Sequence, residues 1–334
     1  MKQNKIYNCT LLLITHERPE FIKKTYKYYK KLFEQIIILD SSKKKNVLFK
    51  NLKNYYHCSD LNLVQKVLLG FKNSKTKYTI IAPDDDFFFS HSIMKGISFL
   101  DKNKKYISVS GKYYWFEKIG PFKKYTLLYK NSYYDVDHLK PLQRFKEVCN
   151  KPTSQMLYNL YRTKEILKFL IKFKNFKQSS FLEDIFILLP PLFGRHKFLE
   201  TNWMLRDGSV NMSYNTNVQT ELINFTNLDN NKRKAQKIIY NNFLKSFIDL
   251  NRQFNMNLNP KIIIKLIRNF YSKSKHPHRG IKNDNNLIKS LKHVYRFFYY
   301  NVFFYRYYLQ IDSRIYYFID SYTLSERFVC INRI

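Results

Sequence analysis

The chain has 334 residues, room for one large or two ordinary domains with real cores, and carries 59 Lys and Arg against 25 Asp and Glu, a net charge of +34. Divided after Asn215, it has 39 basic and 18 acidic residues before that point and 20 and 7 after it. The charge is therefore spread evenly, unlike the discrete basic arm or stripe of a nucleic-acid-binding module.

Ala occurs twice and Gly seven times while Lys, Asn, Ile, Tyr and Phe abound, the bias expected of an AT-rich genome. A body this positive is nonetheless drawn to anionic lipid surfaces and to phosphorylated substrates. Cys9, Cys58, Cys149 and Cys330 stand alone with no CxxC pair, a reduced, cytosolic pattern without a zinc site. After Met1-Lys2-Gln3-Asn4-Lys5 comes an apolar run of about seven residues, too short to be read as a signal-peptide core followed by a cleavage site. The longest later apolar stretch, Tyr295 to Ile319, is broken by Arg296, Arg306, Asp312 and Arg314, so no spanning helix is expected.

Cys9 to Thr15 is a continuous apolar run of β type. Pro19 then opens a segment whose Phe21, Ile22, Tyr26, Tyr29, Leu32 and Phe33 have the period of an amphipathic helix. Gln35 to Leu39 is a second apolar run, closing on Asp40-Ser41-Ser42; Leu61, Val64, Val67, Leu68 and Phe71 have helical spacing; Tyr78 to Ala82 is a third strand. Strand, helix, strand, helix, strand with short connections is the grammar of a doubly wound α/β sheet. Such sheets bind ligands beyond the carboxyl ends of their strands, where His16, Asp40 and Asp84-Asp85-Asp86 all fall.

The triplet Asp84-Asp85-Asp86 is the most informative feature. Three carboxylates between Ala82-Pro83 and Phe87-Phe88-Phe89 repel one another in apolar surroundings, and a hard divalent cation, Mg²⁺ or Mn²⁺, would offset that repulsion. The plain alternative is a solvated acidic turn. Ser92 to Leu100 reads as a helix and Tyr106 to Ser110 as a strand, whereas residues 112–140 are dense in aromatics, among them Tyr113, Trp115, Phe116, Tyr129 and Tyr133, without clean periodicity. Met156 to Tyr161 reads as a buried strand, and Thr163 as the cap of a helix reaching Phe173.

Glu183-Asp184, set among Phe181, Ile185 and Phe186, fall in the first turn of a helix capped by Ser179 or Ser180. The helix dipole favours acids there without any function, but a partly apolar setting is also what a general base needs. Leu205-Arg206-Asp207-Gly208 is the last strand and turn before the composition changes. Lys66 and Arg206 could meet phosphate; among 59 basic residues both read as surface charges. From Gln219 the chain reads as basic-faced helices, with Ile239, Phe243, Phe247 and Leu250 forming one stripe and Asn259-Pro260 starting another. After a break at Lys275 to Gly280, residues 287–308 set Tyr and Phe beside Lys and Arg, the composition of a membrane-surface element.

Thr15-His16-Glu17-Arg18-Pro19-Glu20-Phe21 after the first strand, Leu39-Asp40 after the second, Ala82-Pro83-Asp84-Asp85-Asp86 after the third and Glu183-Asp184 roughly a hundred residues on resemble the family-2-type glycosyltransferases of the GT-A fold. The resemblance spans about residues 9–210 and implies a GT-A-like doubly wound mixed sheet over residues 1–215, with a basic, aromatic-rich helical region over 216–334. It further implies that Thr15, Arg18 and Asp40 lie around the donor nucleotide, and that Asp84, with Asp85 beside it, faces the donor ribose. By the same resemblance Asp86, paired with Asp84 as an Asp-x-Asp motif, is expected to meet a divalent cation, Mn²⁺ or Mg²⁺, at the diphosphate, and Asp184 of the Glu183-Asp184 pair is expected to be the base. Two departures stand out: His16-Glu17 replace the family's usual aromatic residue and Asn, and Ser41 follows Asp40 where a second acid is frequent.

The function expected on this basis is transfer, with inversion, of a sugar from a nucleotide-sugar donor to a hydroxyl of a glycan or lipid-linked acceptor, in surface polysaccharide synthesis. The expected location is cytoplasmic, peripheral at the cytoplasmic face of an anionic membrane. A basic nucleic-acid-binding protein, or a metal-dependent nucleotidyl- or phosphotransferase using the same sheet edge, are the competing readings.

Overall fold

The structure is a computed structural model that describes residues 5–119, 122–129, 132–151, 156–176, 181–207 and 230–273. The chain divides into two units, Met1–Ser274 and Lys275–Ile334. The expected caps at Ser179 and Ser180, the break at 275–280 and the basic aromatic segment 287–334 lie outside the described residues.

Among the described residues nine strands form one mixed sheet. They are β1 (Ile6–Thr15), β2 (Phe33–Asp40), β3 (Tyr55–His57), β4 (Tyr78–Pro83), β5 (Asp86–Phe88), β6 (Tyr106–Ile119), β7 (Phe122–Leu127), β8 (Leu160–Arg162) and β9 (Arg195–Asp207). Their order is β3-β2-β1-β4-β8-β6-β9-β5, with β7 paired to β6 as a hairpin. The first four are parallel; β8 joins them antiparallel, as the expected doubly wound mixed sheet requires. Both faces of the parallel part are covered, which is why these strands are unbroken apolar runs rather than alternating ones.

The pleat divides the side chains strictly. Leu11, Leu13, Ile36, Ile38, Ile80 and Ala82 meet α1 (Pro19–Leu32) and α3 (Ser90–Lys102) on one face. Leu12, Ile37, Leu39 and Ile81 meet α2 (Leu63–Asn73), α5 (Thr163–Leu170) and α6 (Phe181–Leu188) on the other. On that second face the helices Asn230–Gln253 and Pro260–Lys273 join the same core through Phe243, Phe247, Leu266 and Ile267. The Phe243 ring lies 4.7 Å from that of Phe181 and 6.0 Å from that of Phe173.

Several expectations are corrected. The aromatic-dense stretch beginning at 112 belongs largely to the long strand β6 and its hairpin partner β7. Met156–Tyr158 is a 3₁₀ turn, and the strand there is the short β8. Thr163 begins α5 instead of capping it, its hydroxyl paired with that of Thr79 at 2.8 Å. No helix among the described residues is long and apolar enough to cross a membrane.

Candidate active site at the ends of the parallel strands

Strand order reverses between β1 and β4, since β1 leads through α1 to β2 on one side while β4 lies on the other. A crevice opens at such a switch point, beyond the carboxyl ends of the two strands. Thr15 ends β1 opposite Asp40, the last residue of β2, and Asp84 follows β4. Thr15 Oγ1 donates to Asp84 Oδ2 at 2.6 Å. Arg18, held at the start of α1 by the Pro19 that fixes the first turn, donates Nη1 to Asp85 Oδ2 at 2.8 Å and Nη2 to Asp84 Oδ1. Thr15, Arg18, Asp84 and Asp85, distant in sequence, are thus joined in one cluster.

Asp86 faces the other way. It begins β5, which pairs antiparallel with β9 so that Asp86 stands opposite Arg206. Arg206 Nε lies 3.2 Å from Asp86 Oδ2, its Nη1 donates to the Tyr129 hydroxyl at 3.3 Å, and its guanidinium sits 5.7 Å from the centre of the Tyr158 ring. Burial pushes the Asp86 carboxyl up to about 7, against the pull of Arg206, and pushes Asp84 up to about 6, against Thr15 and Arg18. Asp86 Oδ2 is fully enclosed and, beyond its ion pair with Arg206, makes no hydrogen bond among the described residues.

Asp40 is buried at the same edge, its carboxylate accepting from the Ser42 backbone N–H at 2.9 Å and the Tyr55 hydroxyl at 2.7 Å. In this arrangement it holds the loop that follows β2. Glu17 adopts a left-handed backbone (φ 55°), a conformation in which Asn is several-fold enriched and which Glu17 meets under strain. Its backbone N–H donates to Ser42 Oγ at 2.8 Å, tying the loops after β1 and β2 together.

Lys66 and Arg206 are not the surface charges their abundance suggests. Lys66 is 3% exposed in the first turn of α2, where the capping box of Asn62 and Gln65 fixes the helix start. Its Nζ donates to the Thr15 carbonyl at 3.0 Å and to Ser41 Oγ at 2.7 Å, and burial lowers its pKa to about 8. Residue type could not reveal this among 59 basic residues; the cue is position, since Lys66 interrupts the apolar spacing of a helix that faces the sheet.

Glu183 and Asp184 are half-buried in the first turn of α6. Burial first, then the charge of Glu183, raises the Tyr129 hydroxyl to about 12, so Glu183 is felt at the residue that holds Arg206. Among the described residues no three His, Cys, Asp or Glu side chains are arranged to hold a metal ion by themselves. The site does offer hard oxygen donors, three carboxylates against two guanidiniums, among them Asp86 Oδ2, which is ion-paired with Arg206. This donor set fits a divalent cation that takes one or two carboxylates and completes its shell with substrate phosphates.

No known protein family's sequence profile matches the chain, and no curated protein matches it in sequence. Among solved structures it is similar to S. aureus TarS 1-349, at 13% identity and a TM-score of 0.43, over 79% of this chain and 80% of that one. It is similar also to the longer S. aureus TarS, at 13% identity and a TM-score of 0.41, over 79% of this chain and 48% of that one. TarS 1-349 in complex with UDP-GlcNAc matches at 13% identity with a TM-score of 0.42 over 79% and 80% of the two chains. At such identity and score the likeness says nothing of this chain's chemistry.

Proposed function

We propose that the protein is a glycosyltransferase that moves a sugar from a nucleotide-sugar donor to a hydroxyl of a glycan or lipid-linked acceptor, with inversion, in surface polysaccharide synthesis. The observation that carries this reading is the gathering of Thr15, Arg18, Asp84 and Asp85 at the switch point of the sheet, with Asp86 next in sequence and paired to Arg206. A donor leaves as a nucleoside diphosphate, and a crevice lined by carboxylates and guanidiniums suits a cation-assisted diphosphate better than a neutral ligand. Asp86, with Asp84, would hold a divalent cation, which when bound supplies positive charge to the departing diphosphate. Thr15 and Arg18 orient Asp84; Arg206, pinned by Tyr129, orients Asp86.

Asp184 takes the proton of the acceptor hydroxyl as general base, with Glu183 beside it as the other member of the acidic pair. The basic aromatic C-terminal segment attaches the protein peripherally to the cytoplasmic face of an anionic membrane, where a lipid-linked acceptor resides.

A panel of nucleotide sugars assayed by thermal stabilisation and donor turnover, with and without Mn²⁺, tests the reading. One nucleotide sugar should stabilise the chain in a cation-dependent way that Asp86→Ala abolishes. Asp184→Asn should keep donor binding and lose about 10² to 10⁴ of the transfer rate. Transfer of the nucleotidyl group in place of the sugar, or stabilisation indifferent to both EDTA and Asp86→Ala, overturns it. Transfer within a few-fold of normal in Asp184→Asn and loss in Glu183→Gln would move the base to Glu183.

A further inference from the structure

The loop between β2 and β3 has a composition unlike a solvated connection. Residues 43–53 contain Lys43, Lys44, Lys45, Lys50 and Lys53 and no acidic residue. All five lysines are exposed, and between them Val47 is 71%, Leu48 59% and Leu52 37% exposed. An isolated exposed aliphatic residue is ordinary; three within six positions, ringed by cations, are not.

The loop is also built to hold this shape. Phe49 turns inward, its ring 5.1 Å from Tyr26 of α1 and 6.0 Å from Tyr55, which leaves Val47 and Leu48 facing out. The Tyr55 hydroxyl accepts from the Asn46 N–H at 2.9 Å and donates to Asp40, and the Leu52 N–H donates to the Phe49 carbonyl at 2.9 Å. The apolar tip is thus held out to solvent by a buried anchor and by backbone bonds, so little ordering remains to oppose docking. Lys23 and Lys30, exposed and three and four residues from Tyr26, extend the positive charge along α1.

We propose that the loop of residues 43–53 is a docking surface for an anionic lipid bilayer, its aliphatic tip entering the headgroup boundary while its lysines meet lipid phosphates. The chemistry selects the partner. Single-stranded nucleic acid is bound by aromatic stacking and arginine, whereas this loop has no arginine, buries its one aromatic ring and exposes aliphatic side chains and lysines with Asn51 between them, the pairing of interfacial membrane elements. The loop begins at the sheet edge that carries Asp40 and is tied to Thr15-His16-Glu17 through Ser41 and Ser42, so docking brings the candidate active site to the bilayer surface. The inference takes the membrane attachment of the proposed function and gives it a surface within the sheet domain, without depending on the transfer chemistry.

Flotation of the full chain with phosphatidylcholine vesicles, with and without phosphatidylglycerol, tests it. Wild type should float only with the anionic lipid and be released by high salt. Val47→Asp/Leu48→Asp should abolish flotation without moving the melting midpoint, and replacing Lys43, Lys44 and Lys45 by Gln should weaken partition by about 10²-fold. A wild type that stays soluble with anionic vesicles refutes the docking. So do loop variants that float as well as wild type, which would assign attachment to 287–334. Binding to single-stranded DNA that the loop variants lose, in the absence of vesicle binding, would mark a nucleic-acid face and equally overturn it.

Discussion

Lys66 occupies a place that two forces oppose. It is nearly excluded from water, and it sits in the first turn of a helix, where the macrodipole favours anions. Its ammonium persists there by bonding the Thr15 carbonyl and Ser41 Oγ, within the field of Asp40 and Asp84. Held against burial and dipole together, Lys66 ties the ends of β1 and β2 and brings positive charge to Asp40 and Asp84. The consequence is measurable. The folded chain releases this proton at about pH 8 and an unfolded lysine at 10.5, so between those values the unfolded chain binds more protons and stability rises with pH. Compared with Lys66→Met, which keeps the chain length without the charge, wild type should carry a penalty of up to about 3 kcal/mol near neutrality that fades by pH 10.5. Urea midpoints of both chains at neutral and alkaline pH measure it, and a gap independent of pH would show that Lys66 titrates as an ordinary lysine.

Among the elements, β1, β2, β4 and their helices were legible because parallel strands covered on both faces write themselves as unbroken apolar runs, and because the residue after each strand carries the chemistry. β6 was legible only at its start, Tyr106 to Ser110: beyond that its register against β9 shifts, and its aromatics serve a core on one side and a hairpin on the other, so no single period survives. Arg206 was invisible for the same reason. Its meaning lies in the pairing of β5 with β9, which sets it opposite Asp86, and pairing between strands far apart in sequence leaves no local trace. Gly111 lies at one of those irregularities. A Cβ there would meet the Thr201 carbonyl oxygen at 2.5 Å and Trp203 Cβ at 3.1 Å, and the first of these is backbone that cannot turn aside. Gly111→Ala should therefore cost about 1–3 kcal/mol by denaturant titration and weaken donor binding with it, since β9 carries Arg206. Unchanged stability would mean that β6 and β9 are less closely apposed.

For the whole molecule, composition and core give different divisions of the chain. Composition changes near residue 215, yet the helices that follow do not stand apart from the sheet. Phe243 is fully buried within 4.7 to 6.0 Å of the rings of Phe173, Phe176, Phe181 and Phe247, and Phe247 reaches Phe145 at 6.1 Å. Phe181 is the first residue of α6, two positions before Glu183. The helix Asn230–Gln253 thus braces the turn that presents the proposed base, and catalysis and stability should share this contact. Removing a buried phenyl ring typically costs about 3–5 kcal/mol. Phe243→Ala should accordingly lower the melting midpoint of the sheet itself, in one transition, and reduce transfer more than donor binding, because Asp84 and Asp86 lie on strands and turns that the ring does not touch. Fluorescence of Trp115 and Trp203, which lie on β6 and β9 and report on the sheet, far-ultraviolet dichroism reporting on all helices and a donor-binding assay separate the outcomes. A sheet that melts at the wild-type temperature while helical signal is lost would show the two helices to be an appendage, and would leave the acid pair to be positioned by α6 alone.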